Sequence, residues 1–361
     1  MKKKSGIYYS ENQLKRMLIQ GDDKYSKSIF IPNEFFSDLI ESEDFKHKIS
    51  KTKNRYADKV TTHEKKANAK HIAFAFSYLY LISYLYRYAN FFYSNHEGNE
   101  FFINDKIIYM ILNTSPDSRG EKGINYITKK GGLLDKLGYI KKVNDFPIRY
   151  VVEKNINTID YSTLEFICYS EYRGGLPTGY KEISTKQEIN LPIKGFYYDQ
   201  ECQKEKIENG YFYDVDNTTK IELKTFIYCM SRVELGVMGF YLYCFIKSKC
   251  GYYGHYTRDL INMSLDTGIG KTKLTELLKN LEERNMITNS HNVFVTNLPS
   301  GKAVPPNTYN TYDYFEFLKI SKKVVKRGQI MDYEKYDEEY GIYIDEKSTD
   351  KQFELVLPSG F

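Results

Sequence analysis

A chain of 361 residues, 41% hydrophobic and 27% charged, has enough material for two or three cored domains and the composition of an ordinary soluble globular protein. The most apolar run, Ile72–Tyr86, is too short and too rich in tyrosine for a membrane span, and the polar stretch after the basic Met1–Lys4 start is not a secretory signal, so the expectation is a cytoplasmic protein without a membrane partner. The net charge of +5 is modest but unevenly spread: residues 41–70 hold nine Lys/Arg against five Asp/Glu, and residues 331–350 hold eight Asp/Glu against two Lys. A basic front and an acidic tail suit a body that meets a polyanion while its tail stays in solvent.

In chain order, residues 1–65 read as a basic, polar N-terminal region with one or two short elements around Ile29–Ile40. Residues 66–155 read as a compact unit. His71–Phe92 is its long core helix, with Tyr78, Tyr80, Tyr84 and Tyr86 at helical spacing and their hydroxyls expected at the rim of the core. Ile103–Thr114 is a second helix, Ser115–Gly120 a turn, and Glu121–Ile140 holds a third helix with Ile124, Ile127, Leu133, Leu134 and Leu137 inward. Gly131-Gly132 in its middle would cost about 1 kcal/mol per glycine relative to alanine, which predicts a break there. Tyr139–Val152 reads as a hairpin turning at Val143–Pro147.

Residues 156–220 read as a connecting segment with strands, punctuated by "RGGLPTGY" (Arg173–Tyr180). Residues 221–300 read as a second compact unit. Arg232–Lys249 is a helix apolar on most sides, carrying Val233, Leu235, Val237, Met238, Phe240, Tyr241 and Phe245. Tyr256–Gly268 is a short helix with Leu260, Ile261 and Leu265 on one side. Gly270–Ile287 places Leu274, Leu277, Leu278 and Leu281 on one face, with Asn285 as its stop. Met286–Asn297 reads as strand, tight turn at Asn289–Asn292, strand. Residues 301–361 open on the loop "SGKAVPPN" (Ser300–Asn307), continue into an amphipathic helix near Tyr312–Lys326 and end in the acidic tail.

The stretch "DTGIGKTK" (Asp266–Lys273) invites a nucleotide reading. A phosphate-binding P-loop needs G-x-x-x-x-G-K-[ST] after a buried strand, and here the leading position is Leu265 and the preceding segment is helical. The glycines have another use: Gly268 can end one helix in the left-handed conformation and Gly270 can cap the next, whose free N–H groups and partial positive charge suit a DNA phosphate. Enzymatic readings find little. The histidines have no His-x-His spacing for a metal-assisted nicking site, there is no G-x-S-x-G, and five scattered cysteines form no CxxC pair. No catalytic residue, cofactor or metal ligand set is assigned.

Helix, helix, turn, helix and two-stranded wing is the order of a winged helix-turn-helix, and "LINMSLDTGIGKTKLTELLKNLEERNMI" (Leu260–Ile287) resembles that family. The first unit repeats the order more loosely. The fold class expected is therefore mainly α with small β wings (α+β), with two winged helix-turn-helix domains in tandem. On this resemblance the duplex contacts of the second unit are Lys271, Thr272, Lys273, Thr275 and Lys279, with His291 and Asn292 on the wing. In the first unit they are Ser118, Arg119, Lys122, Asn125, Lys129 and Lys130, with Lys141, Lys142 and Arg149 on the wing. Arg119 suits guanine and Asn125 adenine, and the lysines suit phosphates.

Two such units behind a basic N-terminal region resemble plasmid and phage replication initiators of Gram-positive bacteria, and the Tyr-, Lys-, Asn- and Ile-rich composition without tryptophan is similar to that of low-GC members of that group. The resemblance implies double-stranded DNA as partner, together with host replication proteins and self-association into a homo-oligomer. A transcriptional or copy-number regulator built on the same domains, and a protein-interaction scaffold, are the alternatives.

Overall fold

A computed structural model describes residues 7–19, 27–42, 48–53, 60–65, 68–94, 100–115, 123–155, 158–172, 188–193, 217–300, 302–304, 306–324, 329–340 and 344–345. The chain is α+β, with small sheets that are antiparallel except for one strand pair.

The described part of the N-terminal region holds regular elements. Helix α1 (Glu11–Leu18) starts at a capping box between Ser10 and Gln13, strand β1 (Ser28–Pro32) follows, and α2 (Glu34–Glu41) comes next. Strands β2 (Lys48–Lys53) and β3 (Val60–Lys65) form a hairpin. The long helix α3 (Ala69–Arg87), capped by Asn68, leads to the short hairpin β4 (Phe92–Ser94) and β5 (Glu100–Phe102) and to α4 (Asp105–Ile111). The expected third helix is broken, as its glycines predict, into α5 (Asn125–Thr128) and α6 (Leu133–Lys136).

Strands β6 (Ile140–Val143), β7 (Pro147–Asn155), β8 (Thr158–Cys168), β9 (Ile189–Pro192) and β10 (Thr218–Glu222) follow, then helices α7 (Leu223–Met230) and α8 (Gly236–Tyr253). Strand β11 (Tyr256–Thr257), helices α9 (Leu260–Thr267) and α10 (Lys271–Glu283), and strands β12 (Ile287–Ser290), β13 (Phe294–Thr296), β14 (Lys302–Ala303) and β15 (Thr308–Thr311) complete the second unit. Strand β16 (Ile330–Asp332), helix α11 (Tyr333–Tyr340) and strand β17 (Ile344–Asp345) lie beyond it.

The core is built on α3 and α8. Both are apolar around most of their circumference, which suits a helix surrounded by protein. They pack through rings: Phe76 against Tyr241 at 5.6 Å and Tyr80 against Phe240 at 5.1 Å, both edge-to-face. Helix α2 lies across the pair. Phe36 stacks on Phe76 at 4.8 Å and meets Phe245 edge-on at 5.6 Å, and Phe35 reaches Tyr139 at 4.3 Å. The N-terminal region thus joins the two units, and one cluster of buried side chains runs from Leu14 to Tyr309. Strand β1 pairs with β10, adding a backbone link between that region and the end of the connecting segment. Because Phe36 fills the junction of three helices, Phe36→Ala is expected to cost about 3–5 kcal/mol, read as a lower urea midpoint.

The structure corrects several local expectations. The interior tyrosines do not hold their hydroxyls at a rim. Tyr78, Tyr80 and Tyr84 are fully buried, and their hydroxyls donate to the Asp105 carboxylate, the Ile221 carbonyl and the Leu18 carbonyl. Neither unit closes its sheet with the adjacent strand. β6 pairs with β9, while β7 pairs with β8, and β12 pairs with β15, while β13 pairs in parallel with β16. The inward face of α9 is Met263 and Thr267, with Ile261 and Leu265 exposed, and Val233 is exposed in the turn before α8.

Within the expected helix at Tyr312–Lys326, the described residues 312–324 are not α-helical. A single 3-10 turn (Tyr314–Glu316) is followed by irregular chain, whose Leu318 and Lys322 N–H groups donate to Arg284 and Glu283 at the end of α10 and satisfy carbonyls left open there. The acidic tail is not simply solvated either, since β16 is paired and Tyr336 of α11 is buried.

Candidate nucleic-acid interface

The turn between α9 and α10 is held rigidly. Asp259 caps α9, accepting from the N–H groups of Ile261 and Asn262. Near its other end Asp266 takes a two-pronged contact from Arg258, at 2.8 and 3.1 Å, and a hydrogen bond from the Tyr256 hydroxyl at 3.1 Å. Thr267 is buried, its hydroxyl donating to the Met263 carbonyl at 2.7 Å, and Ile269 is fully buried. Gly268 has φ +67°, and a Cβ there would lie 2.8 Å from Ile72 Cδ1 and 3.2 Å from Ile40 Cδ1. The turn therefore rests on α2 and on the first turn of α3.

Helix α10 begins at Gly270, which provides no side-chain cap. Its first turn holds Lys271 and Lys273 and no acidic residue, while Glu282 and Glu283 fall in its last turn. The helix dipole favours the opposite arrangement, acids first and bases last, by roughly 0.3–1 kcal/mol per charge. Lys271, Thr272, Lys273, Thr275 and Lys279 are all exposed. Lys273 reaches Glu276 at 2.8 Å as an exposed pair of little energetic weight, and Lys279 reaches the half-buried Glu283 at 3.8 Å. Leu274, Leu277, Leu278 and Leu281 are buried on the opposite face.

Strands β12, β15 and β11 form one antiparallel sheet with β15 in the centre. His291 and Asn292 leave β12 into the long β12–β15 connection, exposed, and Asn307 holds both: it accepts from the Asn292 N–H at 3.3 Å and lies 3.4 Å from His291 Nδ1.

In the first unit Asn125 is exposed at the start of α5, and the Tyr126 hydroxyl lies 2.9 Å from His71 Nδ1 on the first turn of α3. Lys129 and Lys130 are exposed at the break. Gly131 has φ +67°, and a Cβ on Gly132 would lie 2.5 Å from the Tyr126 carbonyl oxygen, so the break needs both glycines. Ser118, Arg119 and Lys122 lie outside the described residues.

These contacts fix an arrangement. His71 touches α5 and its neighbour Ile72 touches the α9–α10 turn, so the start of α5 with Asn125 and that turn both lie beside the first turn of α3, while Thr128, just before Lys129 and Lys130, shares Asn190 with Tyr78 further along that helix. Lys70, exposed at the same end, carried no motif of its own and was missed by sequence reasoning. Other expected contacts are not brought there. Lys142 is half-buried and pairs with Asp105 at 3.3 Å. Lys141 is exposed beside it on β6. Arg149 is exposed on β7, where neighbouring Tyr150 packs on Tyr88, past the far end of α3.

Among the described residues no group of His, Cys, Asp and Glu could hold a metal ion, and no helix is long and apolar enough to cross a membrane. Comparison with protein-family models, curated proteins and solved structures gives no match.

Proposed function

We propose that the chain binds double-stranded DNA sequence-specifically through two winged helices, and that it initiates plasmid or phage replication at repeated origin sites. The observation that carries this reading is the start of α10: an uncapped helix end with exposed Lys271 and Lys273, charged against its own dipole. Stability alone does not select that pattern, whereas a bound phosphate would accept the free N–H groups and offset both lysines.

Three features support the winged-helix reading. Helix α8, strand β11, helices α9 and α10, and strands β12 and β15 follow the order expected of such a domain, with the β12–β15 connection as wing. In the first unit α3, α4, the broken α5–α6 helix and the β6–β9 pair form a looser counterpart. The common core holds both units in one frame, so two elements could meet one duplex without an ordering cost at their junction. Host replication proteins and further copies of the chain are the protein partners that follow from this role.

Selection of genomic and plasmid fragments by the full chain tests the proposal. Recovery of a set of repeated sequences within one origin region is the expected result. A single site upstream of a gene would instead indicate a regulator, and no enrichment over competitor DNA would remove the DNA-binding reading.

A further inference from the structure

We infer that the β2–β3 hairpin is a third DNA-contacting element, a cationic arm that follows the phosphate backbone of the same duplex. The inference rests on the duplex-binding reading of the two helical units. Its first support is position. Lys65, the last residue of β3, is three residues before the α3 cap Asn68, so the extended chain limits their separation to about 11 Å. The register pairs Lys48 with Lys65, which brings the open end of both strands to the same place. That place is the end of α3 where His71 meets α5, where Ile72 meets the α9–α10 turn and where Lys70 is exposed.

The second support is shape. Two paired strands of six residues span about 20 Å. Among the described residues neither strand packs extensively on any element but the other.

The third is charge. The paired strands carry Lys48, Lys51, Lys53 and Lys65 against one acid, Glu64. Lysines without a planar, base-reading partner suit phosphates more than base edges, so the arm adds affinity without adding sequence preference.

The test uses the full chain and a duplex recovered by fragment selection. A variant with Lys48→Ser, Lys51→Ser, Lys53→Ser and Lys65→Ser is compared with one in which the same lysines become arginine. With serine, binding to selected and random duplexes should weaken by the same factor, and the slope of log affinity against log salt should become shallower by about 0.9 for each phosphate that is no longer neutralised. The arginine variant should keep the original slope, and unchanged thermal unfolding of both shows that the fold is intact. If the unaltered chain binds no duplex, this inference falls together with the reading it rests on. If that chain binds and the serine variant keeps its affinity and slope, the arm assignment alone falls. Unchanged DNA binding with lost binding to phosphatidylserine vesicles would also overturn it, in favour of a membrane surface.

Discussion

Raising the pH above 10 is expected to unfold this protein cooperatively. Tyr78, Tyr80, Tyr109, Tyr139, Tyr241, Tyr243 and Tyr256 all have hydroxyls held above the usual tyrosine value of 10.0, first because they are buried. Neighbouring carboxylates add to the shift: Asp105 beside Tyr78, Asp38 bonded to Tyr139, and Asp266 near Tyr241 and Tyr256. The sign follows from proton counting. Below pH 10 both folded and unfolded chains keep these protons and stability does not depend on them. Above it the unfolded chain releases protons that the folded chain retains, so stability falls as pH rises towards the folded values.

Each such tyrosine removes about 1.4 kcal/mol per pH unit in this range. Seven together exceed a typical total stability of roughly 5–15 kcal/mol within about one to two units. Urea midpoints measured between pH 8 and 12 should begin to fall near pH 9, where the unfolded chain releases the thiol protons that burial holds on Cys168, Cys229, Cys244 and Cys250, and drop steeply above pH 10. A level profile through pH 12 would mean that these hydroxyls titrate alike in both states.

How much could be read from the sequence varied with the range of the interaction. Helix α10 was legible because Leu274, Leu277, Leu278 and Leu281 repeat at helical spacing and Gly268, Gly270 and Asn285 mark its limits. The break at Gly131-Gly132 was legible for the same local reason. The inward face of α9 was not. Ile261 with Leu265 and Met263 with Thr267 are both four residues apart, and only the position of the core separates them. The strand partners were less accessible still, since β6 selects β9 and β12 selects β15 over nearer strands, a choice made by long-range packing.

Tyr312–Lys326 has a helical pattern, but Phe317 is drawn onto Tyr228 and Tyr243, at 5.2 and 5.6 Å, and the chain runs past the end of α10. In the N-terminal region the many lysines masked the importance of Phe35 and Phe36, two adjacent rings that join the units. The candidate interface was legible as residue types at a helix start. That α5 and the α9–α10 turn both meet the first turn of α3 followed only from His71 and Ile72 in three dimensions.

The second large effect expected is a pair of opposite changes from one substitution. Lys271 is exposed at the first position of α10, its thermodynamically poor end for a cation, and no buried contact depends on its side chain. Glutamate there complements the dipole, so Lys271→Glu should leave the fold intact and raise stability by up to about 1 kcal/mol. On DNA the same change places a carboxylate where a phosphate is expected, and affinity for the selected duplex should fall at least about tenfold, the equivalent of about 1.4 kcal/mol. Unfolding and duplex binding of Lys271→Glu, measured side by side at one salt concentration, therefore test the DNA-binding account most directly. The account predicts a chain that is at least as stable and binds at least about tenfold more weakly; an equally stable chain that binds the duplex as tightly as before would contradict it.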